Sequence, residues 1–210
     1  MTVAEPSLSA TLLENSTPVL ETHRLVLRAP CIEDVPAIAE LANNRKIAEM
    51  TATLPFPYTE QDARVFVEQA AFTPVSAIFS LLLKQDGVLR FIGMCGYTPR
   101  TCEADPVIGY WLGEPFWGQG LATESMQAVI DHAFSATPLQ ALAGNTRVVN
   151  GAARRVLEKC GFQWQGVGLW QVKALGASLP VDRLRLERAQ WANPGDGKVI
   201  PLTRQPLRAF

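Results

Sequence analysis

Histidine is scarce in this chain, and its cysteines do not pair in motifs. His23 and His132 are the two histidines, and Cys31, Cys95, Cys102 and Cys160 are scattered over 210 residues without a CxxC pair. A structural zinc needs about four nitrogen or sulfur ligands at close local spacing. No metal is therefore expected, and the cysteines read as reduced thiols of a cytoplasmic protein. An excess of either charge is also missing. Lys plus Arg number 19 and Asp plus Glu number 20, for a net charge of −1. This argues against a nucleic-acid partner, which calls for a strongly basic face. No apolar run approaches the roughly 20 residues that cross a bilayer. The first residues lack the basic stretch of a secretory signal, so no membrane partner is expected either. What is present is core material: 48% of residues are hydrophobic and 19% charged. A chain of this length typically buries roughly 70% of its unfolded surface, which excludes global disorder.

Periodicity divides the chain into an N-terminal arm over 1–21, one domain over 22–191 and a C-terminal tail over 192–210. Arg24 to Arg28 reads as a strand closed by Pro30. Val35, Ile38, Ala39 and Ala42 recur at helical spacing behind Glu33 and Asp34. Pro55 and Pro57 interrupt regular structure, after which Thr59 and Asp62 form an N-cap pair for a helix through Ala63, Phe66, Val67 and Ala70. Ser76–Lys84 and Arg90–Tyr97 flank Asp86-Gly87 as a hairpin, and Val107–Leu112 is a further strand. A helix follows Gly118–Ala122, with His132 expected on its surface. Leu139–Val148 reads as a buried strand, and Asn150 caps a helix with the stripe Ala153, Val156, Leu157, Cys160. Phe162–Val172 and Arg183–Gln190 read as closing strands. Strands that first cluster and then alternate with helices indicate a mixed sheet with helices on its faces.

The sharpest local signal is the run Gly109 to Glu124, a strand, a turn with Gly118 and Gly120, and a helix start. Unpaired amides at a helix N-terminus suit an anion such as a pyrophosphate, and glycines allow close approach to the backbone. Taken alone, Gly-x-Gly is more often a plain strand-to-helix turn. It matches neither the Walker pattern, lacking its Lys, nor the dinucleotide fingerprint, because position 123 is Thr.

Three segments in order give more. Glu21-Thr22-His23-Arg24-Leu25-Val26-Leu27-Arg28, then Ile108–Leu112 with Phe116–Glu124, then Asn150–Phe162 together resemble the GNAT acetyltransferases. The branch they resemble most is that of the ribosomal-protein N-terminal (RimJ/RimL-like) acetyltransferases. The resemblance implies an α/β fold with a mixed, mainly antiparallel sheet splayed between its fourth and fifth strands. It implies acetyl-CoA as cosubstrate, with the backbone of Trp111 and Leu112 along the pantetheine. Trp117, Gly118, Gln119, Gly120, Leu121, Ala122 and Thr123 would lie at the pyrophosphate, and Asn150 near the pantetheine or adenylate. Trp117 stands where the family usually has Gln or Arg.

By the same resemblance, Leu112 and Gly113 amides would stabilise an oxyanion. Glu114, at the mouth of the splay, is the first candidate base, with Glu103 and Asp105 behind it. Each also reads as a solvated carboxylate. Leu157 stands where many members carry an acidic Tyr. Arg154 and Arg155 could touch phosphate or simply face solvent, and Tyr110 and Cys160 read as core. The acceptor would be an amine, either a peptide N-terminus or a small molecule. A non-catalytic acyl-CoA-binding module is the alternative, followed by a nucleotide binder. A homodimer is open.

Overall fold

The structure, a computed structural model, describes residues 17–70, 77–99 and 103–192. The arm before residue 17 and the tail after 192 lie outside the described residues.

Eight strands form one sheet in the order β1-β2-β3-β4-β5-β6-β8-β7. They are β1 (Leu20–Glu21), β2 (Leu25–Arg28), β3 (Ala77–Gln85), β4 (Val88–Thr98), β5 (Val107–Leu112), β6 (Ala141–Arg147), β7 (Gln163–Val172) and β8 (Ala177–Glu187). All neighbours are antiparallel except β5 and β6. Among the described residues the α-helices are α1 (Val35–Ala42), α2 (Arg45–Ala48), α3 (Glu60–Ala70), α4 (Leu121–Ala136), α5 (Gly151–Lys159) and α6 (Arg188–Ala192).

Two apolar layers cover the sheet. On one face α4 and α5 bury Met126, Ile130, Ala133 and Leu157 against Leu27, Phe79, Ile108 and Leu142. On the other, α1 and α3 bury Val35, Ile38, Ala42, Ala63 and Val67 against Leu82, Phe91 and Met94. The stripe Val35, Ile38, Ala39, Ala42 thus faces the sheet as its spacing demands. The hairpin turn at Asp86 (φ 50°) and Gly87 (φ 77°) has both central residues left-handed, as a twist-matched two-residue loop requires. Thr59 and Asp62 exchange hydrogen bonds at the start of α3.

Three readings change. Leu20 and Glu21, assigned to the arm, add an edge strand beside β2. His132 does not lie open on the surface but packs edge-on against Phe79 at 5.8 Å and near Tyr97. The last strand begins at Ala177 rather than Arg183. Pro180 masked that start, because proline cannot donate to a ladder. Here Val148 N donates to Pro180 O at 3.3 Å. The main-chain polar side of Pro180 therefore faces the end of β6, and its missing N–H takes nothing from the pairing with β7.

Asp34 and Asp182 are the buried charged residues among those described, and Asp34 lies between β2, α1 and β3. Asp34, 5% exposed, takes two bonds from the Arg28 guanidinium (2.7 and 2.8 Å), one from Ser80 Oγ (2.7 Å) and one from Cys31 N (3.1 Å). Burial opposes its ionisation, but these donors outweigh it and hold the carboxyl below its usual range.

Candidate active site

Strands β5 and β6, the fourth and fifth when counted from Arg24–Arg28, pair only at Val107↔Ala143 and Ile108↔Gly144. Beyond them the strands part, and a cleft of about 960 Å³ opens. Its walls include Tyr110, Trp111 and Leu112 on β5, Asn145 and Thr146 on β6, the glycine turn, and the start of α5.

Hydrogen-bond parity fixes which amides of β5 look into this gap. Gly113 N donates to Ile92 O at 2.9 Å. With Leu112 opposite Gly93, the pair Leu112–Gly93 is then the non-bonded kind, and its main-chain groups point away from β4. The N–H of Leu112, like that of Tyr110 two residues before it, therefore faces the splay. Trp111 is turned the other way: its main chain serves β4, while its side chain packs 6.1 Å from Phe91. A Cβ on Gly93 would stand 2.2 Å from Trp111 O, so a side chain is excluded where the two strands meet. Of the two amides proposed as oxyanion donors, only that of Leu112 is open, since the Gly113 amide is taken.

On β6 the polar residues begin where β5 departs. Asn145 and Thr146 directly follow the last pair. Asn145 Oδ1 and Thr146 Oγ1 are buried without a partner among the described residues. Buried polar groups are ordinarily satisfied, so this wall suits a polar guest. Asn145 Nδ2 is committed to Glu103 Oε1 at 3.2 Å.

The turn before α4 carries open amides. Gly118 (φ 74°) and Gly120 (φ 78°) are left-handed, and Gly120 caps α4 without any side-chain cap bond. The first-turn amides of Leu121, Ala122 and Thr123 are thus left for a ligand. These three residues, Trp117, Gly118 and Gly120 all line the cleft; Gln119 does not. Its side chain reaches back to Pro115 O at 3.0 Å. Trp117 Nε1 donates to Leu112 O at 2.7 Å, which ties the turn to the end of β5. Asn150 also lines the cleft, while its Oδ1 accepts from Ala153 N at 3.0 Å as an N-cap.

The two arginines of α5 separate. Arg154 is bound to Glu158 at 2.8 Å and Asp182 at 3.2 Å, whereas Arg155 lines the cleft. Leu157 is buried and also reaches the cleft wall. Burial raises the Cys160 thiol to about 12, which makes it an inert core group. Burial, with Cys95 and Cys160 nearby, raises the Tyr110 phenol and keeps it protonated.

The carboxylates have other partners. Glu114 is bonded to Lys46 Nζ and to Asn44 Nδ2 (2.8 Å). It is not among the cleft-lining residues. Those two bonds hold its carboxyl below the usual range, which weakens it as a base. Glu103 pairs with Arg183 at 2.7 Å and Asp105 with Arg185 at 2.8 Å, both joining the loop before β5 to β8. Glu114→Gln is accordingly expected to leave the pH–rate profile in place and to change turnover less than about threefold, within the range of an exposed ion pair. Loss of the acidic limb of the profile would instead identify Glu114 as the base.

Tyr58, which by the resemblance belongs with Phe56 and Phe66 to the segment that shapes the acceptor site, lines the cleft, whereas sequence reasoning missed the cleft residues Asn145 and Thr146. Tyr58 is only 5% exposed and its phenol is raised to about 12 by burial and by Asp62. The aromatic content around Pro55 was a signal for it, but nothing local marks where a sheet will part.

A family model described as the acetyltransferase (GNAT) domain matches residues 24–163. Over 176 residues the chain is 26% identical to an uncharacterized N-acetyltransferase of Bacillus licheniformis, covering 82% of this chain and 98% of that one. It is 29% identical over 117 residues to the ribosomal-protein-serine acetyltransferase of Escherichia coli, 53% of this chain and 62% of that one. Its fold is similar to Mycobacterium smegmatis RimJ in complex with a CoA disulfide, with a TM-score of 0.68, 19% identity, and coverage of 82% of this chain and 87% of that one.

Proposed function

The chain belongs to the GNAT acetyltransferase family, and on that premise we propose that it transfers the acetyl group of acetyl-CoA directly to a primary amine in a ternary complex. The observation that carries this is one cleft with two kinds of open amide. Those of the glycine turn suit a pyrophosphate, and on β5 that of Tyr110 suits the amide-bearing pantetheine arm and that of Leu112 the thioester carbonyl. The thioester carbonyl then lies near the end of β5. The free amine attacks the carbonyl carbon, the carbonyl oxygen takes up negative charge, and the Leu112 N–H donates to it. Collapse breaks the carbon–sulfur bond and releases CoA as thiolate, and the amine's extra proton passes to water. Leu157 has no proton to give, so the thiolate is protonated by water. Placement of the two reactants supplies much of the rate.

The cleft wall favours an acceptor without multiple positive charges, a peptide N-terminus before a polyamine. Among the described residues lining it, Asp62 is the one carboxylate, while Lys46, Lys173, Arg155 and Lys159 are cationic. Asp62 is itself held by Thr59. A protein N-terminus also agrees with the ribosomal-protein-serine acetyltransferase among the relatives. The test is CoA release from acetyl-CoA with a panel of N-terminal peptides, amino acids, polyamines and aminoglycosides. The expected result is turnover with peptides at least about tenfold above that with polyamines, the discrimination that about 1.4 kcal/mol of mismatched charge provides. CoA binding with no acceptor consumed would favour the absence of an acid at Leu157 as the deciding fact, and with it a non-catalytic acyl-CoA-binding module.

A further inference from the structure

Two segments of the sequence that are separated by a hundred residues meet at the cosubstrate turn. Thr22 Oγ1 donates to Glu124 Oε1 at 2.6 Å, and Arg24 N donates to the same oxygen at 2.8 Å. Arg24 Nε donates to Glu124 Oε2 at 2.7 Å, and Arg24 Nη1 donates to Gln119 O at 2.8 Å. Nη2 of the same guanidinium lies 3.5 Å from where a Cβ on Gly120 would stand. The segment is itself anchored, since Lys84 N on β3 donates to Arg24 O at 2.9 Å and Leu25 N donates to Thr22 Oγ1 at 2.9 Å.

We propose that Arg24, with Thr22 and Glu124, is a positioning clamp that aims the turn's amides at the cosubstrate's pyrophosphate. This rests on the reading of Gly118–Ala122 as the pyrophosphate site. In a planar trans peptide the C=O of one residue and the N–H of the next point in opposite directions. Arg24 draws the Gln119 carbonyl to its own side, so the Gly120 N–H faces away from Arg24. Gly120 lines the cleft, and Arg24 and Gln119 do not. Glu124 fixes the first turn of α4 to the start of β2 in the same way. The guanidinium also neutralises a carboxylate that would otherwise stand one helical turn from the incoming phosphates. Two donors from one planar group are needed, Nε to Glu124 and Nη1 to Gln119 O, and lysine cannot supply both in that geometry.

The test uses the full-length protein and two ligands that differ by the pyrophosphate and nucleotide: CoA, measured by calorimetry, and pantetheine, measured by the initial slope of an NMR shift titration. Arg24→Gln and Arg24→Lys are each expected to weaken CoA about tenfold, the loss of one charge-assisted hydrogen bond, and to leave the pantetheine slope unchanged. Glu124→Gln, a milder change to the fold, is expected to show the same selectivity. Equal weakening of both ligands would reduce the clamp to ordinary structural support and overturn the proposal, as would unchanged CoA affinity. Gly120→Glu run in parallel separates the two levels. If it abolishes CoA binding while the Arg24 variants bind normally, only the clamp fails. If it too binds CoA normally, the pyrophosphate reading fails with it.

Discussion

Gly120→Glu is expected to weaken CoA binding at least about 100-fold, since the three effects below together exceed about 3 kcal/mol. The side chain enters a left-handed position (φ 78°) that non-glycine residues occupy only at a cost. It puts a carboxylate among amides otherwise open to an anion. It also fills the close-approach space that glycine leaves. The fold itself has room, because the nearest atom to the added Cβ is Arg24 Nη2 at 3.5 Å, an ordinary contact distance. Gly87→Glu is the matched control: its φ is 77° and nothing lies within 4 Å of its added Cβ. It carries the same backbone strain on a hairpin that does not line the cleft. Calorimetry with CoA should therefore separate the two variants, while their unfolding midpoints should be similar. Comparable CoA affinity in both would remove the glycine turn from the site.

The second large effect concerns stability. Asp34→Ala is expected to cost about 2–4 kcal/mol, less than the full loss of a wholly buried pair because Arg28 keeps contact with solvent. It leaves Ser80 Oγ, fully buried on β3, without its acceptor. It also frees the backbone N–H of Cys31 and detaches the start of α1 from β2. For a chain of this size that is a drop of about 4–16 °C in the unfolding midpoint. The pH dependence has a definite sign. The folded-state value of Asp34 lies below its unfolded value of about 3.9. The ionised form therefore stabilises the fold above that pH, and the contribution is lost as pH falls through the folded value. Urea midpoints at pH 7 and pH 3 should differ more for the wild type than for Asp34→Ala. An equal acid loss in both would assign the effect to other carboxylates. Lys84→Ala, which removes an ion pair with the exposed Glu21, is the surface control and should change stability by less than about 1 kcal/mol.

These two predictions differ in how well the sequence announces them. The glycine turn is legible because its geometry is written in the residues: two left-handed positions need glycine, and the strand and helix on either side are each local patterns. The helices α1, α3 and α5 are legible for the same reason, and so is the Asn150 cap. The Asp34 centre is not, because it joins β2, the start of α1 and β3, and only folding brings Arg28, Asp34 and Ser80 together. The same holds for Arg24 and Glu124. Each looks like an ordinary charged residue near an element end until β2 is laid beside α4. The choice between the Leu112 and Gly113 amides is a matter of hydrogen-bond parity, and a strand pattern with a period of two cannot reveal which edge is already occupied. Glu114 shows the converse. Its place in the chain beside the cleft suggested a base, but Lys46 and Asn44 come from α2 and its cap, some seventy residues earlier.

The brevity of the β5–β6 pairing has a consequence for the protein's lifetime. Two residue pairs join the strands of the two half-sheets, so the seam between them is where the backbone is least finished. On the proposed reading a bound cosubstrate would lie along that seam and stabilise the native state by mass action, by about 2.7 kcal/mol when present at a hundred times its dissociation constant. The supply of acetyl-CoA would then set not only how fast the enzyme works but how much of it survives proteolysis, and a starved cell would lose the protein along with its substrate.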